Sequence, residues 1–131
     1  IPGIKELLDE LSANNIKISV ATSTPHDKAV CSLKIAGINI PKNRIIGGDM
    51  VKNGKPSPEI FLEAAKSMQC SSNECIVIED SILGIEGAKN AGMTTVFVPN
   101  SKNTVQERKW DYFASSFLER NQIVRQLLEL R

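Results

Sequence analysis

The sequence predicts an α/β domain built on a doubly wound parallel sheet, and three observations carry that expectation. Segments of strand type and helix type alternate along the chain, the order that buries a parallel sheet between helices. The strand-type runs, such as CIVI at Cys75–Ile78 and TTVFV at Thr94–Val98, are short and almost wholly apolar, as strands covered on both faces are. The intervening segments carry apolar residues at helical spacing between recognisable start and stop residues.

Ile4, Leu7, Leu8 and Leu11 share one face of an opening helix that has Pro2 near its start. IKISVA, Ile16–Ala21, reads as a strand broken by TSTPH. DKAVCSLKIAG reads as a second helix, with Gly37 at its C-terminal cap and Cys31 expected in the core. RIIGGD, Arg44–Asp49, is a short strand running into a glycine-rich turn. SPEIFLEAAKSM is the clearest helix: Ser57 is the expected N-cap, Pro58 the first helical residue, and Ile60, Phe61, Ala64, Ala65 and Met68 the buried face. A strand at Cys75–Ile78, a helix ending at Gly92 and a strand stopped by Pro99 follow. SKNTVQERKW is polar and reads as a loop with Lys102, Arg108 and Lys109 in water. DYFASSF is a candidate edge strand, and RNQIVRQLLEL closes the chain as a helix. Internal repeats, low-complexity tracts and linkers are absent, so residues 1–131 form one unit.

With 131 residues, 41% hydrophobic and 24% charged, the chain can bury a real core. A net charge of +1 points to no nucleic-acid partner, and the apolar runs are too short to span a bilayer. Trp110 and Tyr112 read as packing residues, since no basic patch surrounds them. Three cysteines without a C-x-x-C pair argue against a disulfide framework and favour a reducing compartment. The expected location is the cytoplasm, with an organelle left open. His26 is the single histidine, which disfavours a two-histidine metal site and a Ser-His-Asp triad. It is read as a loop or helix-start residue that could also touch substrate.

Ligands of open parallel sheets sit beyond the carboxyl ends of the strands. At those ends stand Thr22-Ser23-Thr24, the Gly54-Lys55-Pro56 segment and the pair Glu79-Asp80. A hydroxyl with backbone N–H groups can hold phosphate oxygens, a lysine can offset charge, and carboxylates can hold Mg²⁺. Each has a plainer reading. Thr-Ser-Thr can be a helix-capping loop, Gly-Lys-Pro a turn, and Asp80 the cap of the next helix. Capping does not explain both carboxylates, because like charges at the end of a buried strand repel each other unless a cation compensates them.

These segments together resemble the core domain of the haloacid dehalogenase superfamily of phosphohydrolases, in the subgroup of β-phosphoglucomutase and small phosphatases. KISVATSTPH is similar to the family's second motif, NGKPSPEIFLEAAK to its third, and CIVIEDSILGIEGAKNAGM to its fourth. IPGIKELLDEL resembles the helix that re-enters the core after the cap domain. The resemblance implies a Rossmann-like fold and a Mg²⁺-dependent phosphatase acting on a small phosphate ester through an aspartyl-phosphate. Thr22 and Ser23 would bind the phosphoryl group, Lys55 would offset its charge, and Glu79 and Asp80 would hold Mg²⁺. A hexose-phosphate mutase and a non-catalytic phosphate-binding module are the alternatives.

The family's nucleophile, the first aspartate of an Asp-x-Asp-x-Thr motif, has no counterpart here. The only aspartate before Thr22 is Asp9, on the polar side of the opening helix. The strand carrying that motif is central in the family, between the Ile16–Ala21 and Cys75–Ile78 strands. The expectation is therefore a C-terminal core portion following an upstream cap, inactive alone, and completed by an N-terminal segment or a complementing chain. A trans Lys55–Pro56 bond is expected, with Lys55 within reach of the acid pair.

Overall fold

The computed structural model describes residues 3–99 and 109–128. Along the chain it forms α1 (Ile4–Ala13), β1 (Val20–Ala21), α2 (His26–Ile35), β2 (Ile45–Ile46), α3 (Glu59–Ser67), β3 (Ile76–Glu79), α4 (Ile82–Asn90), β4 (Thr94–Phe97), β5 (Tyr112–Phe113) and α5 (Phe117–Leu127). Strands and helices alternate from β1 to β4, and every strand pairing among the described residues is parallel.

The sheet is in two pieces. β1 pairs with β2, and β3, β4 and β5 pair in that order. Among the described residues β1 and β3 each keep one edge without a partner strand. The central strand expected between them is not among the described residues. Ile78 on β3 is 37% exposed, although its run reads as doubly buried.

Packing nevertheless bridges the gap. α3 lies against β1, β2 and α4. Ile46, Ile60, Phe61, Ala64, Ala65, Cys75, Ala88 and Met93 form one core, with Ala21 and Val77 at its margin. A second core of Leu7, Leu11 and Val124 joins α1 to α5, with Ile16 and Ile18 packed on it. Phe97, Trp110 and Phe113 cluster on the β4–β5 side; the Phe97 and Trp110 ring centroids are 4.8 Å apart. Trp110 is thus a packing residue, whereas Tyr112 is exposed.

Several expected boundaries move, each for a local reason. Only Val20–Ala21 of the Ile16–Ala21 run is a strand, because β2 offers just two partner residues. Upstream, the Ser19 hydroxyl donates to the Arg44 carbonyl at 2.9 Å instead. Arg44–Asp49 shortens likewise, since Gly48–Met50 is a 3₁₀ turn. α3 starts at Glu59 with Pro58 at the N-cap position, yet the Ser57 hydroxyl still accepts the Glu59 N–H at 3.3 Å. α5 begins at Phe117, the last residue of the segment read as edge strand, because Ser116 caps it by accepting the Glu119 N–H at 3.2 Å. Gly37 and Gly92 follow their helices at φ +73° and +80°, as helix-ending glycines do.

Cys31 is exposed rather than in the core. Ala29 is the buried residue of α2, and a position two residues further points to the opposite side. Pro2, Lys102 and Arg108 lie outside the described residues. Lys109 is ion-paired with Glu86 at 2.6 Å. No helix among the described residues is long and apolar enough to cross a membrane.

α3 supplies a direct stability test. Ile60 is 2% exposed and Leu62 44%. Ile60→Ala is expected to lower unfolding free energy by about 2–5 kcal/mol, and Leu62→Ala by no more than about 0.5 kcal/mol, both read from urea denaturation. Equal losses would show that α3 packs through a different face.

Candidate functional site

β3 ends at Glu79, whose side chain turns back over the start of α4. A Cβ on Gly84 would lie 2.1 Å from Glu79 Cδ, so glycine is what leaves room for the carboxylate. Glu79 Oε1 accepts the Ser81 hydroxyl at 3.0 Å and the backbone N–H groups of Asp80 and Ser81 at 3.2 and 3.3 Å. Its other oxygen, Oε2, is 3.1 Å from Lys55 Nζ. These side chains are only 14% (Lys55) and 9% (Glu79) exposed, so the pair is largely shielded from water.

The loop that carries Lys55 is built to reach this point. Glu59, in the first turn of α3, accepts the Lys52 and Asn53 N–H groups at 2.5 and 2.9 Å. The Asn53 bond, with that from Lys52, holds the Glu59 carboxyl below the usual carboxylate range. Ser57 N–H donates to the Gly54 carbonyl at 3.0 Å, closing a turn around Lys55. Asn90 Nδ2 donates to the Pro56 carbonyl at 3.2 Å and ties the loop to the end of α4. Lys55 Nζ also lies 5.4 Å from the Phe61 ring centroid, a favourable place for a cation. The Lys55–Pro56 bond is cis, not trans as expected; proline makes the two forms close in energy.

The expected reach of Lys55 to the acid pair is therefore present, through Glu79. Asp80 is exposed at the bend after β3. It does not cap α4, because Ser81 takes that position and its hydroxyl accepts the Gly84 N–H at 3.1 Å. The two adjacent charges are thus tolerated in different ways. Glu79 is compensated by Lys55 and helix-start donors, and Asp80 stands at an exposed bend.

Thr22 follows β1 and extends its ladder, donating its N–H to the Ile46 carbonyl at 3.0 Å. Its Oγ1 accepts the Thr24 N–H at 3.2 Å, which leaves the hydroxyl proton available to an outside acceptor. Ser23 is exposed at the tip of this turn, and α2 starts at His26. His26 Nε2 lies 3.1 Å from the Lys42 carbonyl and Nδ1 3.5 Å from Asp27. The Lys42 bond, followed by the nearby Asp27 and Asp49 carboxylates, raises the imidazole pKa despite an opposing desolvation cost.

Sequence reasoning missed Ser81, Gly84 and Asp49. Ser81 was legible as a capping type directly before a helix. Gly84 and Asp49 were not, since their role depends on residues that folding brings beside them.

As oxygen donors, Asp80 and Glu79 suit a hard cation such as Mg²⁺, but in part only. Among the described residues no three His, Cys, Asp or Glu side chains cluster to hold a metal. Asp80 and retained waters would supply one side of an octahedral shell.

A family model described as haloacid dehalogenase-like hydrolase matches residues 1–98. The chain is 36% identical over 96 residues to the phosphorylated carbohydrates phosphatase of Thermotoga maritima, covering 73% of this chain and 44% of that protein. It superposes on the crystal structure of β-phosphoglucomutase from Clostridium difficile with a TM-score of 0.81 at 34% identity, covering 98% of this chain and 54% of the other. It superposes on CbbY from Rhodobacter sphaeroides in complex with phosphate with a TM-score of 0.78 at 30% identity, covering 90% and 54%. The chain spans about half the length of these relatives.

Two measurements check the site. Lys55→Met leaves a shielded carboxylate without its cation and is expected to cost about 3 kcal/mol, less when combined with Glu79→Gln; a double-mutant cycle without coupling would show that the pair is not formed. The second concerns His26. Because its folded pKa is raised, its contribution to stability is complete below the unfolded imidazole value and disappears as pH rises through the folded value. Proton NMR of this sole imidazole should give a midpoint above about 6.5; a midpoint at or below that value would contradict the Lys42 contact.

Proposed function

The chain belongs to the haloacid dehalogenase-like hydrolase family, and we propose that it is the phosphate-binding and acid-bearing core portion of a Mg²⁺-dependent phosphatase. The substrate is a small phosphate ester, processed through an aspartyl-phosphate whose aspartate is contributed from outside residues 1–131. The observation that carries this reading is the Lys55–Glu79 pair at the carboxyl end of β3, with Asp80 exposed beside it. A shielded lysine that already faces a carboxylate costs no reorganisation when a second anion, a phosphoryl group, arrives.

Each side chain then has one task. The Thr22 hydroxyl, oriented by the Thr24 N–H, donates to a phosphoryl oxygen, and the Ser23 N–H donates to another. Lys55 offsets charge on the phosphoryl group. Asp80 would hold Mg²⁺ as an oxygen ligand, and Glu79 holds Lys55 in place. Mg²⁺, when bound, draws off the negative charge of the transferring group. A strand from an upstream segment or a complementing chain fills the gap between β1 and β3 and brings the nucleophile between Thr22 and Asp80. The superposition on CbbY, a protein solved in complex with phosphate, supports phosphate as the class of ligand.

A mutase is the second reading, favoured by the similarity to β-phosphoglucomutase. The two share the core chemistry and differ in whether water or a sugar hydroxyl takes the phosphoryl group.

The full-length protein is expected to release inorganic phosphate from at least one member of a sugar-phosphate and nucleotide panel, with Thr22→Ala and Lys55→Met each slowing release on the order of a hundredfold or more. Mg²⁺ binding by titration calorimetry should be weak for residues 1–131, orders of magnitude tighter in the full-length protein, and lost from the latter in Asp80→Asn. Equally tight binding by both would show a complete metal site within these residues. Conversion of a hexose phosphate to its isomer without phosphate release would select the mutase.

A further inference from the structure

The turn after β1 and the turn after β2 touch through their backbones. Gly48 N–H donates to the Thr24 carbonyl at 3.0 Å. A Cβ on Gly48 would lie 2.3 Å from the Ser23 carbonyl oxygen, and one on Gly47 would lie 2.4 Å from the His26 nitrogen. No side chain fits between the two turns.

α2 has Pro25 at its N-cap, a residue with no side-chain acceptor for the free N–H groups of the first turn. Asp49 supplies one from the other turn: its Oδ1 accepts the His26 N–H at 2.8 Å, across 23 residues of sequence. The segment from Thr22 to His26 is therefore held at both ends. Thr22 is fixed by the ladder to Ile46, and His26 by Asp49.

We propose that Asp49 is a positioning residue for phosphate binding, which fixes the Thr22–His26 turn so that the Thr22 hydroxyl and the Ser23 N–H converge on one anion. The proposal rests on the reading of Thr22 and Ser23 as phosphate ligands. The benefit of Asp49 is geometric, not electrostatic, because a carboxylate near the turn repels an arriving phosphate. Asparagine keeps the acceptor oxygen and drops the charge, whereas alanine removes both. The two substitutions therefore separate positioning from charge.

The test uses the full-length protein, inorganic phosphate as probe and ¹⁵N NMR of the Ser23 and Thr24 amides, with circular dichroism as the folding control. Asp49→Asn should bind phosphate at least as tightly as the unaltered protein and leave both amide shifts in place. Asp49→Ala should move both shifts and weaken phosphate binding about fivefold, the size of one lost helix cap. Gly48→Ala, which presses a methyl group onto the Ser23 carbonyl, should do the same by another route. Unmoved shifts and unchanged affinity in Asp49→Ala would overturn the proposal, as would an Asn variant that behaves like the Ala one. If the unaltered protein takes up no phosphate, the reading of Thr22 and Ser23 fails instead. Asp49 is then judged on the amide shifts alone, and unmoved shifts in Asp49→Ala still overturn its positioning role.

Discussion

The Lys55–Glu79 ion pair is the constraint around which the rest of the structure is arranged. Two opposite charges shielded from water are favourable only if their remaining donors and acceptors are satisfied. That requirement reaches outward in three directions. Glu79 needs the start of α4, so Ser81 and Gly84 are where they are. Lys55 needs a loop held short of solvent, so Glu59 gathers the Lys52 and Asn53 N–H groups and Asn90 holds the Pro56 carbonyl. Both need a rigid support, which α3 provides by packing against α4 and the β1–β2 pair.

The site is assembled from two halves that differ in character. Around β3 and α4 it is held by charge and by a nearly dry ion pair. Around β1 and α2 it is held by backbone contacts between turns, with Asp49 closing the far end. A shielded pair tolerates little displacement, and the turn after β1 is likewise held at both ends, by Ile46 and by Asp49. Among the described residues β1 and β3, which carry these halves, each keep one edge without a partner strand.

Most of the fold was legible because it follows from local pattern. The stripe of Ile60, Phe61, Ala64 and Ala65 fixes α3, and the apolar run before Glu79 fixes β3. What was not legible depends on partners distant in sequence. The Ile16–Ala21 run looks like a full strand, but its length is decided by the two residues of β2 that meet it. The start of α5 was misplaced because Phe117 and Leu118 suit a strand or a helix, and only the Ser116 cap decides between them. In the candidate site, Thr22, Glu79 and Asp80 stand out as polar residues ending apolar strands, and Lys55 as the lysine of the loop that leads into α3. The different fates of the two carboxylates were hidden, because the return of Glu79 over Gly84 is a matter of space and not of spacing.

The aromatic cluster on β4 and β5 gives the molecule a built-in optical probe. Trp110 is the only tryptophan of the chain, and its ring sits 4.8 Å from Phe97 and 5.7 Å from Phe113. Its emission therefore senses whether β5 is seated on β4, and Trp110 is remote in sequence from Thr22, Lys55, Glu79 and Asp80. During denaturation, the wavelength of that emission follows the three-stranded piece of the sheet. The backbone circular dichroism follows the helices on both pieces. Coincident curves would mean that the two sheet pieces melt as one cooperative body, and separated curves would mean that each piece loses its order independently.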